Sequence, residues 1–290
     1  MFIDVHTHAY KRPYPGVDGK PVFSTPEQVI VRFDELGIEK GCILPIVNSE
    51  VYLPQSNEEI LEMCEKYPDR FIPFCNIDPR AITNSVDAPL DYILSYYKDL
   101  GCKGIGEVMP SMPFMHPKAR NLFKHCQSVG LPLTFDISDR LDGDYGFYDE
   151  PGLPQLQDTL RSFPKLTIVC HGPAFWAEIG KLELPGDRVG YPSYPISEEG
   201  AVPKMMRRYE NMWCDLSAGS GYFAMARDPE YAAAFLNEFA DKLMYGTDIC
   251  AHDQQIKIGS LLIELRDSGK LSEEKFNKIA RENAIRLYGL

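Results

Sequence analysis

Short apolar runs alternate with amphipathic stretches from one end of this chain to the other. The first run, Phe2, Ile3 and Val5 within MFIDVHTH, reads as a strand, because β-branched and aromatic residues fit a pleated, half-buried surface. A loop follows over 9–24, broken by Pro13, Pro15, Gly16, Gly19 and Pro21. Thr25 then offers an N-cap and Pro26 a first helical position. Val29, Phe33 and Leu36 supply a helical stripe, and Gly37 stops it. GCILPIV at 41–47 is short and continuously apolar, which suits a strand covered on both faces.

The same alternation recurs to the end. Strands are expected over 71–77, 102–109, 131–138, 166–171, 212–218 and 242–250. Helices are expected over 56–67, 86–100, 117–129, 154–163, 229–240, 254–267 and 272–288, and the Pro- and Gly-rich stretch 174–209 has room for two short ones. Eight strands, each followed by a helical segment, predict a parallel sheet with right-handed crossovers. The length matches an α/β fold of the (β/α)8 TIM-barrel kind, taken as a single domain over 1–290 closed by C-terminal helices. A doubly wound open sheet is the alternative, but the turn after the first strand, HTHAYKRP, carries no glycine-rich phosphate fingerprint.

Composition narrows the partners. A net charge of −12, from 30 basic and 42 acidic residues, weighs against nucleic acid and against an anionic membrane. No tract of about 18 apolar residues is present to span a bilayer. The amino terminus lacks the basic and apolar regions of a signal peptide, so a cytoplasmic location is expected. The expected partner is a small-molecule substrate, and the apolar C-terminal helix with Leu287, Tyr288 and Leu290 covers either the barrel's base or a second copy in a homo-oligomer. The eight cysteines are scattered and form no C-x-x-C pair. Cys42, Cys75, Cys102, Cys170, Cys214 and Cys250 lie in or beside strand-like runs, as reduced buried thiols do.

The chemistry gathers where strands end. His6 and His8 are two apart, so they share a face of their strand and form half of a metal cage. Strand four ends in Glu107, strand five in Asp136, strand six in His171 and strand eight in Asp248. A barrel places its reactive groups at these carboxyl ends, and a lone charged group behind an apolar run is costly unless paired or metal-bound. Plainer readings exist beside this one: Asp136 as a cap, and Glu107 paired with Lys103 or an arginine. His116 and His125 read as surface or packing residues and His252 as loop. Trp176 and Tyr222 are candidate pocket walls, and Arg140 and Arg188 candidate partners for a substrate carboxylate.

This constellation, with DVHTH at 4–8, PLTFDIS at 132–138, IVCHGPAFW at 168–176, YGTDIC at 245–250 and ENAIRLYGL at 282–290, resembles the amidohydrolase superfamily. It is most similar to the branch holding the aminocarboxymuconate-semialdehyde decarboxylase-like proteins. The resemblance implies a divalent metal, zinc first and manganese second, as one ion or two. It implies His6, His8, Glu107, Asp136, His171 and Asp248 as the metal-binding set, with Asp248 as general base and His171 as second catalytic group. One position departs from the pattern: strand five of the family usually carries a histidine, and here it carries Asp136. Glu107 resembles the strand-four glutamate of TatD-like deoxyribonucleases. Lys103, at the start of its strand, is a weaker match to a carboxylated bridging lysine.

The function expected is hydrolysis of an ester, lactone or amide bond in a small molecule by metal-activated water, under the loops at 9–24, 139–153 and 184–200. Two enzymatic alternatives stand beside it: metal-dependent, non-oxidative decarboxylation of a small aromatic or unsaturated acid, and metal-independent lactone hydrolysis. A barrel that binds a ligand without turnover is the non-enzymatic reading.

Overall fold

The computed structural model of the protein describes residues 1–50 and 53–290. Its main strands are β1 (Phe2–Thr7), β2 (Ile38–Ile43), β3 (Phe71–Pro73), β4 (Ile105–Val108), β5 (Leu133–Phe135), β6 (Ile168–Cys170), β7 (Met212–Asp215) and β8 (Leu243–Met244). They pair in parallel as two sheets, β1–β2–β3 and β4–β5–β6–β7–β8. Parallel bridges Cys75–Ile105 and Thr7–Ile249 join the two sheets at both seams. The bonds from Gly106 N–H to the Cys75 carbonyl (2.9 Å) and from His8 N–H to the Ile249 carbonyl (3.0 Å) complete the ring. The fold is a (β/α)8 barrel.

Helices α1 (Pro26–Leu36), α2 (Asn57–Lys66), α3 (Asp91–Asp99), α4 (Pro117–Val129), α5 (Pro154–Ser162), α6 (Pro173–Trp176), α7 (Ala201–Arg208), α8 (Ala218–Ala226), α9 (Pro229–Glu238) and α10 (Ile258–Asp267) follow the strands. The last helical stretch runs from Glu273 to Tyr288 through a π-helical turn at Lys278–Glu282. The expected cap of α1 is present, with the Thr25 side chain and Gln28 completing a capping box and Gly37 left-handed at φ 68.

Three boundaries differ from the sequence pattern for local reasons. The second strand spans 38–43 instead of 41–47, since Pro45 has no N–H to give to a ladder. The third helix begins at Asp91, not near 86, because Ala88 precedes Pro89 and is biased away from helix. Helix α8, AGSGYFAMA, was not anticipated; glycines and small apolar residues leave it no polar stripe to read. Two-residue strands at Met112–Pro113, Phe147–Tyr148 and Ile137–Ser138 add a small parallel sheet after β4 and β5.

Ile3, Val5, Cys42, Leu44, Ile72, Phe74, Val169 and Met244 form one buried cluster with Ala284 and Tyr288. Residues from five strands, some of them far apart around the ring, meet only inside a barrel, so the C-terminal helix plugs that interior from the base. The larger cluster lies between strands and helices. With its base plugged, the barrel leaves the strands' carboxyl ends for chemistry.

Candidate metal centre

Strand β1 delivers its two imidazoles to one point. His6 Nε2 and His8 Nε2 lie 3.1 Å apart, and both rings are fully buried. The strand is pinned from below by Asp4. Its carboxylate accepts from His6 N–H (3.0 Å), the Thr7 hydroxyl (2.7 Å), Thr247 N–H (2.9 Å) and the Thr247 hydroxyl (2.5 Å). Thr247 precedes Asp248, so one carboxylate sets β1 against the segment that carries the proposed base. Asp248 itself sits in the left-handed region at φ 55, a conformation aspartate tolerates better than most residues.

The other groups close around the imidazoles. Asp248 Oδ1 lies 3.7 Å from His6 Nε2 and 3.3 Å from His8 Nε2. Glu107 Oε2 lies 3.5 Å and 3.6 Å from the same two atoms, and Glu107 Oε1 lies 3.7 Å from His171 Nε2. Asp136 joins Glu107 and His171, with one ligand atom from each within 4.8 Å of the others. All six groups singled out from the sequence therefore meet at one end of the barrel.

Two further groups were not anticipated. Asp215, at the end of β7, holds His6 Nδ1 at 2.6 Å and lies 3.5 Å from His171 Nδ1. The Ser217 hydroxyl contacts His171 Nδ1 at 3.1 Å and His6 Nδ1 at 3.4 Å. Asp215 follows the apolar run MWC, so the criterion that found Asp136 and His171 also reaches it. Trp176 Nε1 donates to the Asp215 carbonyl at 3.0 Å and fixes that turn.

The donor set fits a cation. His8 Nδ1 faces the Leu44 carbonyl at 2.9 Å, which only accepts, and His6 Nδ1 faces a carboxylate. Both Nδ1 atoms therefore carry the hydrogen, and in the neutral rings both Nε2 atoms turn lone pairs inward. Lone pairs 3.1 Å apart, flanked by two carboxylates, repel one another unless a positive charge sits among them. Protons meet the same demand. Burial lowers the His6 imidazole, but Glu107 and Asp215 overrule it and hold it well above its ordinary value. His8 is raised despite burial by Asp248 and Glu107. His171, lowered by burial and by His6, is carried up to about 9 by Asp215 and Glu107. Glu107 and Asp215 are held below the usual carboxylate range, burial notwithstanding, chiefly by His6. Asp136 behaves oppositely: burial and the neighbouring Glu107 push its carboxyl up to about 8.

A family model described as Amidohydrolase matches residues 3–290. The chain belongs to the amidohydrolase family. No curated protein matches its sequence. Among solved structures it is similar to an amidohydrolase from Burkholderia multivorans with bound zinc (14% identity, TM-score 0.63, covering 100% of this chain and 99% of that one). It is also similar to a probable 2-pyrone-4,6-dicarboxylic acid hydrolase from Acinetobacter baumannii with citric acid bound (14% identity, TM-score 0.59, 100% and 99% covered). A third is 2,6-dihydroxybenzoate decarboxylase from Rhizobium (17% identity, TM-score 0.60, 99% and 98% covered).

The remaining candidates in this amidohydrolase lie elsewhere. Arg188 is buried and committed to Glu178 (2.8 Å) and the Asp149 carbonyl (2.8 Å), so it ties loops together and is not presented to a substrate. Arg140 is exposed and pairs with Asp144. His116 caps α4 through Lys118 N–H, His125 lies 3.6 Å from Asp91, and His252 is exposed. Lys103 precedes β4, away from its carboxyl end. Tyr222 lines a cavity of 210 Å³ with Thr247, Ala218, Phe223, Gln254 and Ile258. Thr247 precedes Asp248 and Ala218 follows Ser217, so this cavity opens one residue from the centre in the segments that follow β7 and β8. All eight cysteines are free thiols.

Proposed function

We propose that this amidohydrolase hydrolyses an ester, lactone or amide bond in a small molecule, with a divalent cation held by His6, His8 and Asp248 and flanked by Glu107. The observation that carries the reading is the pair of inward-facing Nε2 lone pairs, 3.1 Å apart, with their Nδ1 atoms already engaged. A bound zinc ion supplies Lewis acidity for a carbonyl and lowers the pKa of a water to about 7. Asp248 accepts the proton of the attacking water. Water oxygen bonds to the carbonyl carbon, the bond to the leaving group breaks, and the proton passes to that leaving group. His171, which contacts Asp215, Ser217 and Glu107, donates to the oxygen that gains charge.

One observation favours a second reading. A carboxyl at about 8, as Asp136 has, is still protonated at neutral pH and stands next to the centre. Such an acid can deliver a proton to carbon as a carboxylate leaves as carbon dioxide, the chemistry named for the similar Rhizobium enzyme.

The test begins with metal content. Protein purified without added metal should carry at least one equivalent of zinc or manganese by mass spectrometry of the ions. His6→Ala should lose it, together with hydrolysis of a panel of lactones and aryl esters. Full hydrolysis after chelation, or in His6→Ala, would overturn the metal-dependent reading and leave the metal-free lactonase. Carbon dioxide release from aromatic acids, without ester or lactone turnover, would select decarboxylation.

A further inference from the structure

Away from the metal centre, Arg227 stands just past the end of α8 with its guanidinium inside the protein. None of its three side-chain nitrogens has a hydrogen-bond partner among the described residues, and all three are buried. The group is held by packing and by one cation–π contact. Its Cζ lies 5.5 Å from the Tyr194 ring centroid, and Nη2 packs over Gly180, where a Cβ would approach it to 2.7 Å. Beside it is a small cavity of 10 Å³, walled by Pro173, Trp176, Pro192 and Ala224. Ser220, only 2% exposed, lines the same cavity, and its hydroxyl also lacks a hydrogen-bond partner among the described residues.

We propose that this cavity binds a chloride-sized anion between the Arg227 guanidinium and the Ser220 hydroxyl. A buried cation without a partner costs several kcal/mol. A water would satisfy hydrogen bonds but add no negative charge beside the guanidinium. The nearest acids are already engaged. Asp228 accepts from Tyr231 N–H (3.1 Å) and Ile196 N–H (3.0 Å), and Asp187 accepts from Leu184 N–H (2.9 Å) and the Tyr194 hydroxyl (2.8 Å). Burial pulls the guanidinium below its ordinary value, and these neighbours offset that only in part. The cavity is small, which favours a compact anion over a bulky one. Such an anion would join α8 to the segment that carries Tyr191, whose ring stacks on Phe223 at 5.0 Å.

Bromide replaces chloride and scatters anomalously. Crystals of the metal-loaded protein grown in sodium bromide should show an anomalous peak within hydrogen-bond reach of both Arg227 and Ser220, absent in Arg227→Gln. In solution, the wild type should melt roughly 2–4 °C higher in saturating sodium chloride than in sodium gluconate of equal ionic strength. Ser220→Ala, which removes only a hydroxyl, should reduce that difference. A wild-type cavity without anomalous signal in bromide would overturn the proposal, and so would equal melting in the two salts.

Discussion

On the β1 and β8 side of the centre, both imidazoles are aimed by something fixed. His6 leans on Asp215, His8 on the Leu44 carbonyl, and Asp4 locks both strands through four hydrogen bonds. On the β4, β5 and β6 side the backbone is held, as where Asn76 donates to the Glu107 carbonyl at 2.5 Å. The carboxyls themselves are less constrained: Asp136 Oδ1 accepts from its own neighbour Ile137 N–H, and Glu107 faces three histidines and Asp136. The first side is arranged to present lone pairs in one geometry. The second pairs a carboxylate held ionised by His6 with a carboxyl held neutral by burial and by that carboxylate. One half places a cation, and the other stores a proton.

The sharpest way to break this division is to disturb the aim of the first half without touching a ligand. In Asp215→Asn the amide can donate to His6 Nδ1. That would move the ring hydrogen to Nε2 and turn the inward lone pair into an N–H. Metal affinity should fall about 10–100-fold, as is usual for partners that orient a metal-bound histidine. Competition against a chromophoric chelator measures it. Unchanged affinity would mean that Asp215 does not set the tautomer.

Much of this centre was legible in the sequence, and the reasons are physical. A charged residue directly after an apolar strand has few ways to be stable, which made Glu107, Asp136, His171 and Asp248 stand out. Asp4 and Asp215 escaped notice. Asp4 lies inside a strand where its partners, Thr7 and Thr247, are 3 and 243 residues away. Asp215 follows an apolar run and meets the same criterion, but its role, through the far side of two rings, is one that no spacing reveals. Arg188 shows the converse: an arginine in a loop reads as available, and only its burial against Glu178 shows that it is not. The fold was easier, since strand and helix alternation survives errors of several residues at each boundary, as at Pro45 and Pro89.

Removing the metal leaves the two halves to be balanced by protons, and stability should then follow pH in a defined sense. His171, at about 9 when folded, contributes fully below its ordinary value of 6.5 and loses that contribution as pH rises toward 9. Asp136 runs the same way, its contribution shrinking from its ordinary 3.8 up to about 8. Glu107 and Asp215, both lowered, contribute above their ordinary values of 4.5 and 3.8 and lose that as pH falls below them. Among these groups the contribution should therefore be greatest near pH 4.5, where Glu107 and Asp215 have ionised and Asp136 has lost least, and should decline from there as pH rises. The Tm of metal-stripped protein should drop by roughly 5 °C on going to about pH 9. The metal-loaded protein should show a smaller drop, because the cation replaces the protons of His6 and His8. Calorimetry of both forms across this range checks the contrast, and parallel profiles would deny the coupling.

The smallest expected effect bears on what the stored proton is for. Asp136→Asn exchanges a neutral carboxyl for a neutral group of similar shape, whose oxygen can still accept from Ile137 N–H and whose amide can still face Glu107. If the proton only spares Glu107 a second negative charge, metal affinity and hydrolysis should both stay within about threefold of the wild type, a change of the size of one modest hydrogen bond. If the proton is delivered to carbon, the amide cannot replace it, and turnover should fall by about 10²–10⁴ with metal affinity unchanged. Measuring affinity and turnover on the same preparation separates the two cases. A large loss of affinity in Asp136→Asn would fit neither, and would move Asp136 from the proton-holding half of the centre to the cation-holding one.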